Sequence, residues 1–355
     1  MPLHVLHSPA EWSRHFGPGR RRTALTVGIF DGLHRGHQAL LLGVVERARR
    51  LGLMTAAITF DPHPLQILHP EKAPRLLATL AQRLAGFEQL GLDAALVMKF
   101  GRALSHVSPE DFVRHVLVEH LRVRVVRVGE NFRFGHRHAG DVTLLRKLAT
   151  ELDFEVEVVP PVVIRSRGFG TEVSSTAIRH ALREGRVTDA TRLLGRPFTL
   201  SGEIHPGTGQ GRRLVVPTLN LVPQQEVLPK SGVYITETVV YPEAPPAAAD
   251  RRVRGRRHPS VTNIGHRPTF HGHHLTVESH LFEFSAEVTS GAMEVHFWKR
   301  LRDEKKFKGP EALRTQIQRD VARAQAFFRK QAEAESASLL ADENKRRLRG
   351  ARRPA

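Results

Sequence analysis

Two histidines three residues apart stand in a glycine-rich segment, Gly28-Ile-Phe-Asp-Gly-Leu-His-Arg-Gly-His37. At that spacing His34 and His37 project to the same side of a helix start, where free N–H groups and the helix dipole already favour anions. Two imidazoles there suit binding of nucleotide phosphates and stabilisation of their charge. Gly28, Gly32 and Gly36 allow tight turns and close approach of backbone to a ligand, with Phe30 and Asp31 between them. A metal pair is the competing reading of the two histidines, but no carboxylate or third histidine follows at helical spacing. A second hydroxyl-bearing segment, Ser174-Ser-Thr-Ala-Ile-Arg179, lies about 140 residues downstream. Ser175 can cap a helix start. The hydroxyls of Ser174, Ser175 and Thr176, together with free amides, then form a second phosphate cradle, and Arg179 adds a delocalised charge one turn later.

Further along, Gly202, Gly207, Gly209 and Gly211 precede Arg212 and Arg213. A glycine-rich loop between strands can wrap phosphates through backbone N–H groups, and an ordinary hairpin looks the same. Thr218 and Asn220 follow on one face of the next strand, since alternate residues share a face. Glu278 sits in a strand and reads either as a general base or as a solvent-facing carboxylate. The cluster His271-Gly-His-His274 has no carboxylate at hand and reads as an incidental polar turn.

These residues need elements to hold them. The first half alternates strand and helix: strands at Thr23–Ile29, Leu53–Phe60, Asp93–Phe100, Val123–Val128 and Phe154–Val159, with helices at His37–Leu51, Leu76–Leu90, Pro109–Leu121 and Gly140–Leu152. Ser108 is a candidate cap. Such alternation implies a parallel, doubly wound, Rossmann-like sheet, whose ligands bind at strand carboxyl ends. The segments Gly28–His37, Thr59-Phe-Asp-Pro-His-Pro64 and Val128-Gly-Glu-Asn-Phe-Arg-Phe-Gly135 all fall at such ends. Two short helices, Ser175–Glu184 and Thr188–Leu194, lead to Gly195-Arg196-Pro197. Beyond it, six strands (Phe198–Ile204, Thr218–Val222, Val233–Val240, Ser260–Ile264, Thr276–Phe284 and Met293–Arg300) imply a small antiparallel barrel. Pro242–Pro259 reads as an insertion, Pro310–Lys330 as a closing helix, and Gln331–Ala355 as a polar, disordered tail. The expected domains are therefore 1–190, 195–330 and a tail at 331–355.

Composition narrows the function classes. The chain has 355 residues, enough for about two domains. It has no cysteine, so disulfides, thiolate catalysis and Cys-ligated zinc are excluded. No apolar run approaches the roughly 18 residues that span a bilayer. Met1–Arg22 lacks the apolar core of a secretory signal, so a cytoplasmic protein is expected. The net charge of +18 invites a nucleic-acid reading. Yet three acid-free runs, at 20–22, 251–257 and 345–353, hold fourteen of those charges and leave +4 for the rest. Basicity so confined reads as solvated runs able to hold nucleic acid nonspecifically.

The motifs together resemble a known family. His-x-Gly-His after a strand, with the Ser-Ser-Thr-x-x-Arg segment, resembles the HxGH nucleotidyltransferase superfamily. With Thr59–Pro64 and Val128–Gly135 the first half looks like the FMN adenylyltransferase module of bacterial bifunctional riboflavin kinase/FAD synthetases. Val216-Pro-Thr-Leu-Asn-Leu221 resembles the Pro-Thr-Ala-Asn signature of riboflavin kinases, with Leu219 in place of alanine and Val215 in place of the usual glycine. The likeness covers roughly residues 20–330. It implies phosphorylation of riboflavin to FMN in the barrel, with Glu278 as base and Mg²⁺ and ATP phosphates held by Thr218 and Asn220. It implies adenylylation of FMN to FAD and pyrophosphate in the first half, with Mg²⁺ again serving and with charge stabilised by His34, His37, Ser175, Thr176 and Arg179. Asp61 belongs to the nucleotide site. Asn131 stands where many relatives carry aspartate, which argues for hydrogen bonding to nucleotide or flavin rather than metal ligation. Phe134 is either a stacking platform for the flavin ring or a core phenylalanine. Competing readings are a transferase for another phosphorylated substrate and a nucleic-acid-binding protein on an inactive transferase scaffold.

Overall fold

The computed structural model describes residues 2–17, 19, 21–166, 169–205, 218–241, 255–269, 272–284 and 288–350. Two compact units share the chain. The first comprises Met1–Arg183, Asp189–Arg196 and Gln225–Leu228, and the second Glu184–Thr188, Pro197–Gln224 and Pro229–Ala355.

In the first unit six strands form one sheet: β1 (His4–Leu6), β2 (Thr23–Val27), β3 (Met54–Asp61), β4 (Ala94–Lys99), β5 (Val123–Gly129) and β6 (Glu155–Val159). Their order is β1-β4-β3-β2-β5-β6, every pair parallel. The winding reverses between β2 and β5, which opens a crevice at their carboxyl ends. β2 is buried at every residue, as a central strand covered on both faces must be. Alternation along the strands assigns the two faces. Ala24, Ala57 and Val125 face Leu41, Val44, Val45 and Ala48 of α2 (Arg35–Leu51), and the two alanines let that helix lie close, while Ala95 shares this face with Phe87 and Leu92. Leu25, Ile58, Leu96 and Val126 face Trp12, Phe112, Leu117, Leu145 and Leu148 on the other side. The helices there are α1 (Pro9–Phe16), a π-helical stretch at Phe112–His120 and a helix at Val142–Glu151. Ser108 caps its helix through a bond from Asp111 N at 3.0 Å.

The short β1 and α1 escaped the sequence reading, because three residues of strand carry no periodicity. A small hairpin, β7 (Val163–Ser166) with β8 (Phe169–Glu172), also escaped it. Arg22, read as part of a solvated run, instead pairs with Asp153 at 3.0 Å and donates to Val123 O at 2.9 Å.

In the second unit six antiparallel strands close a barrel: β9 (Phe198–His205), β10 (Leu219–Pro223), β11 (Gly232–Tyr241), β12 (Arg256–Thr269), β13 (Gly272–Leu281) and β14 (Ala292–Arg302). Its interior mixes apolar residues with a chain of hydroxyls. Thr238, Ser260, Thr236, Thr262 and Ser279 link successively at 2.7–2.8 Å, all fully buried, so each polar group has a partner. The final helix, Pro310–Gly350, covers Val233, Ile235, Val261 and Phe282 with Val321, Ala324, Phe327 and Phe328.

Three expectations change here. The helix does not stop at Lys330: residues 331–350 are helical, not disordered. Polarity denies that stretch a core, but its Ala, Leu, Glu, Lys and Arg content favours extending a helix already nucleated. Arg256–Pro259 belongs to β12 rather than to an insertion, and Arg257 pairs there with Glu237 at 2.5 Å. His273 and His274 lie within β13, opposite Pro268 and Arg267, so their segment is strand and not turn. Residues 242–254, His271 and the terminal 351–355 lie outside the described residues.

Candidate active sites

The first site is built where β2 ends. Gly28 N donates to Ile58 O at 3.0 Å, and a side chain on Gly28 would meet the Phe30 ring at 3.1 Å. The chain then turns through Phe30 (φ +55), Gly32 (φ +80) and Leu33 (φ +44). Left-handed backbone at two non-glycine residues is strained, and such strain survives only where packing imposes it. Phe30 supplies that packing: it is 1% exposed, with its ring edge-on to Phe87 and to His37, each at 5.3 Å.

His34 is the N-cap of α2. Its Nδ1 accepts from His37 N at 3.3 Å, so the ring proton of the neutral tautomer sits on Nε2 as a donor. The His37 ring stacks on it at 3.6 Å. Burial, with Arg196 and Arg179 adding repulsion, lowers His34 to about 4, and burial plus its neighbour His34 holds His37 well below its ordinary value. Both imidazoles are therefore neutral at pH 7 and offer N–H dipoles rather than full charges. Nδ1 of His37 is buried with no hydrogen-bond partner among the described residues. Gly36 lies against the His34 ring, which a Cβ would approach to 3.2 Å.

The second motif folds onto the first. Ser174, not Ser175, caps α8 (Ser175–Arg183): its Oγ accepts from Ala177 N at 3.2 Å. Ser175 Oγ instead donates to Asp31 O at 2.9 Å. Arg179 donates from Nη2 to Asp31 Oδ2 at 2.5 Å and from Nε to Arg75 O at 2.7 Å. Asp31 is 3% exposed and also accepts from the Leu77 and Ala78 amides. Burial raises its pKa, while these amides and Arg179 oppose that shift. Asp31 is thus the buried hub of the site. Thr176 stands exposed on the first turn of α8.

Two arginines were missed by the sequence reading. Arg83, on the helix Leu80–Gln89, is 2% exposed. It donates to Ile29 O at 3.0 Å, Thr59 Oγ1 at 2.9 Å, Phe60 O at 3.2 Å and Asp61 Oδ1 at 3.3 Å, binding the ends of β2 and β3 together. A signal was available: Leu80, Arg83, Leu84 and Phe87 form one stripe, so the charge falls on the buried face. Arg196 donates to Gly32 O at 3.1 Å and Leu33 O at 3.4 Å. Asn131 is exposed beyond β5. Phe134 is 7% exposed, stacked on Phe132 at 5.3 Å and packed within the core, the core alternative of the two open for it.

The second site lies on the outside of the barrel. Asn220 is opposite His205 on one side and Glu278 on the other, and Glu278 is in turn opposite Asn263. The rows flanking this one, Leu219–Ser279–Thr262 and Leu221–Val277–Ile264, point inward and are buried, so this row faces outward. Asn220, Glu278 and Asn263 are each half-buried. The Glu304 carboxylate fills the space beside Gly265 and the Asn263 amide. Asn263 and Glu304 join the candidates on position alone. Thr218 precedes β10 and is half-buried, whereas Gly207, Gly209, Gly211 and Arg212 lie outside the described residues.

The chain matches the FAD synthetase family over residues 18–177 and the riboflavin kinase family over residues 194–328. It is 36% identical over 304 residues to the bifunctional riboflavin kinase/FMN adenylyltransferase of Escherichia coli K12, covering 86% of this chain and 92% of that one. The chain belongs to the bifunctional riboflavin kinase/FMN adenylyltransferase family. The relative of that description from Pseudomonas fluorescens is also 36% identical, over 87% of this chain and 94% of its own. A crystal structure of a macrolide-efflux protein from Streptococcus pneumoniae superposes with a TM-score of 0.76 at 24% identity, over 92% of this chain and 99% of that chain, which shows a shared fold. The two family regions follow the order of parallel sheet and closed barrel along this chain. Among the described residues no helix is long and apolar enough to cross a membrane.

Proposed function

We infer that this member of the family makes FMN and then FAD, each step consuming one ATP. In the barrel, the terminal ribityl hydroxyl of riboflavin attacks the γ-phosphorus of ATP. The bond to the bridging oxygen breaks, ADP leaves, and Glu278 accepts the hydroxyl proton. In the first unit, a phosphate oxygen of FMN attacks the α-phosphorus of a second ATP, and pyrophosphate leaves as FAD forms.

The observation that carries the second step is the Asp31 hub. Through Ser175 and Arg179 it joins the two phosphate-binding segments beside His34 and His37. Neutral imidazole donors, the free amides at the starts of α2 and α8, and the Thr176 hydroxyl then meet the charge that builds on the transferring phosphoryl group. Arg83 holds Asp61 at the rim of the nucleotide site. Gly28 and Gly36 carry no side chain to press on the Phe30 and His34 rings, and their backbone is assigned to the nucleotide site. Asn131 serves as a hydrogen-bonding residue for nucleotide or flavin, and Phe134 supports the Phe132 ring from the core.

Mg²⁺ suits the barrel site, whose donors are the neutral oxygens of Thr218 and Asn220 near a carboxylate, all hard ligands. Once bound there it would neutralise charge on the ATP phosphates. Gly207, Gly209, Gly211 and Arg212 are assigned to the phosphate loop preceding it. Consumption of ATP in both steps fits a cytoplasmic enzyme. Incubation with riboflavin, ATP and Mg²⁺, followed by chromatography, should yield FMN first and FAD second. Absence of both products would overturn the reading.

A further inference from the structure

Residues Arg75–Ala78 run between the Asp31 hub and the helix Leu80–Gln89, and three of the four contribute backbone to the first site. Arg75 O accepts Arg179 Nε at 2.7 Å, and the Leu77 and Ala78 amides donate to Asp31 at 2.9 and 3.0 Å. Leu76, in the middle, is held by other residues. Its N–H donates to Glu226 Oε2 at 2.9 Å, and its carbonyl accepts from Val227 N at 3.2 Å. The other Glu226 oxygen accepts from Gln66 Nε2 at 3.3 Å. Val227 is 4% exposed and Gln225 6%, so the segment is packed in place rather than laid on the surface. Gln225–Leu228 belongs to the first unit, yet it lies within residues 194–328, the riboflavin kinase region.

We propose that Glu226 and Val227 are positioning residues for FMN adenylylation, acting through Leu76 on the Asp31–Arg179 pair. Clamping both polar groups of Leu76 fixes the peptide planes on either side, and those planes carry the partners of Asp31 and Arg179. Losing the clamp leaves the ion pair formed but free to rotate, and small misplacements of a charge-stabilising group are costly in rate. The consequence is specific: four residues coded inside the kinase region complete the adenylyltransferase site. This rests on the adenylyltransferase reading of the first unit.

The test uses the full-length chain with FMN, ATP and Mg²⁺. Glu226→Ala should lower kcat for FAD formation about tenfold while KM for ATP changes little, and riboflavin phosphorylation should continue at the native rate. Glu226→Gln keeps an acceptor for the Leu76 amide and should restore most of the rate. In an Arg179→Ala background, Glu226→Ala should cost nothing further, since the two act as one unit. Retained riboflavin phosphorylation and an unchanged melting profile exclude unfolding as the cause. Unchanged FAD synthesis in Glu226→Ala, or the same tenfold loss in the Arg179→Ala background, would overturn the proposal alone. Failure of the native chain to convert FMN to FAD would overturn the adenylyltransferase reading and the proposal with it.

Discussion

The carboxylate of Asp31 receives the Arg179 guanidinium at 2.5 Å, an ion pair with its two side chains only 4% and 10% exposed. Those residues stand 148 positions apart, one in the turn after β2 and the other on α8. Breaking a buried pair strands a charge, typically at a cost of about 3–5 kcal/mol. Asp31→Asn should therefore lower the stability of the first unit by roughly 3 kcal/mol and FAD formation at least tenfold. Riboflavin phosphorylation should persist. Calorimetry and product chromatography on one preparation measure both effects.

In the proposed adenylylation, His34 and His37 would meet the transferring phosphate as neutral donors. Replacing either by alanine should cost on the order of 3 kcal/mol of transition-state stabilisation, about a hundredfold in rate. FMN should then accumulate from riboflavin without FAD. Normal FAD output from the double variant would remove both residues from the mechanism.

The low His34 value gives a signed pH prediction. Its folded pKa of about 4 lies below the ordinary 6.5, so the unfolded chain binds the proton more readily. Stability from this group is complete above pH 6.5 and is lost as pH falls towards 4. The change between pH 7 and pH 5 amounts to about 2 kcal/mol. Denaturant unfolding of the native chain should show at least that loss, because burial lowers His37 in the same direction, and His34→Gln should reduce it. For the same reason kcat/KM for adenylylation should show no step near pH 6.5 from these rings.

Glu278 faces out of the barrel between Asn220 and Asn263. Glu278→Ala should abolish conversion of riboflavin to FMN, while supplied FMN is still turned into FAD at close to the native rate. Equal loss of both reactions in a folded variant would place them in one coupled site and overturn the assignment of one reaction to each unit.

Local pattern was enough to read the fold class of both halves and to pick out the candidate residues. Pattern is a local property: a continuous buried-type run at Thr23–Val27, alternation at Leu219–Pro223 and helical spacing in Arg35–Leu51 are legible without any partner. Motif spacing likewise placed His34, His37, Ser175 and Arg179 at element ends. What each residue does there depended on contacts between distant segments, which leave no trace in local pattern. In sequence Asp31 is one residue of a glycine-rich binding segment, and only in the fold do Leu77, Ala78 and Arg179 close around it. Ser174 took the capping role that Ser175 had been given, because Ser175 was drawn to the Asp31 carbonyl. Protonation of the two histidines was equally invisible, since it follows from burial and from their 3.6 Å stacking. That Arg83 ties two strands together and that Glu226 reaches Leu76 emerges from packing alone. Those bonds form when chain segments far apart in sequence are brought within hydrogen-bond distance, and that is the work of the packed core.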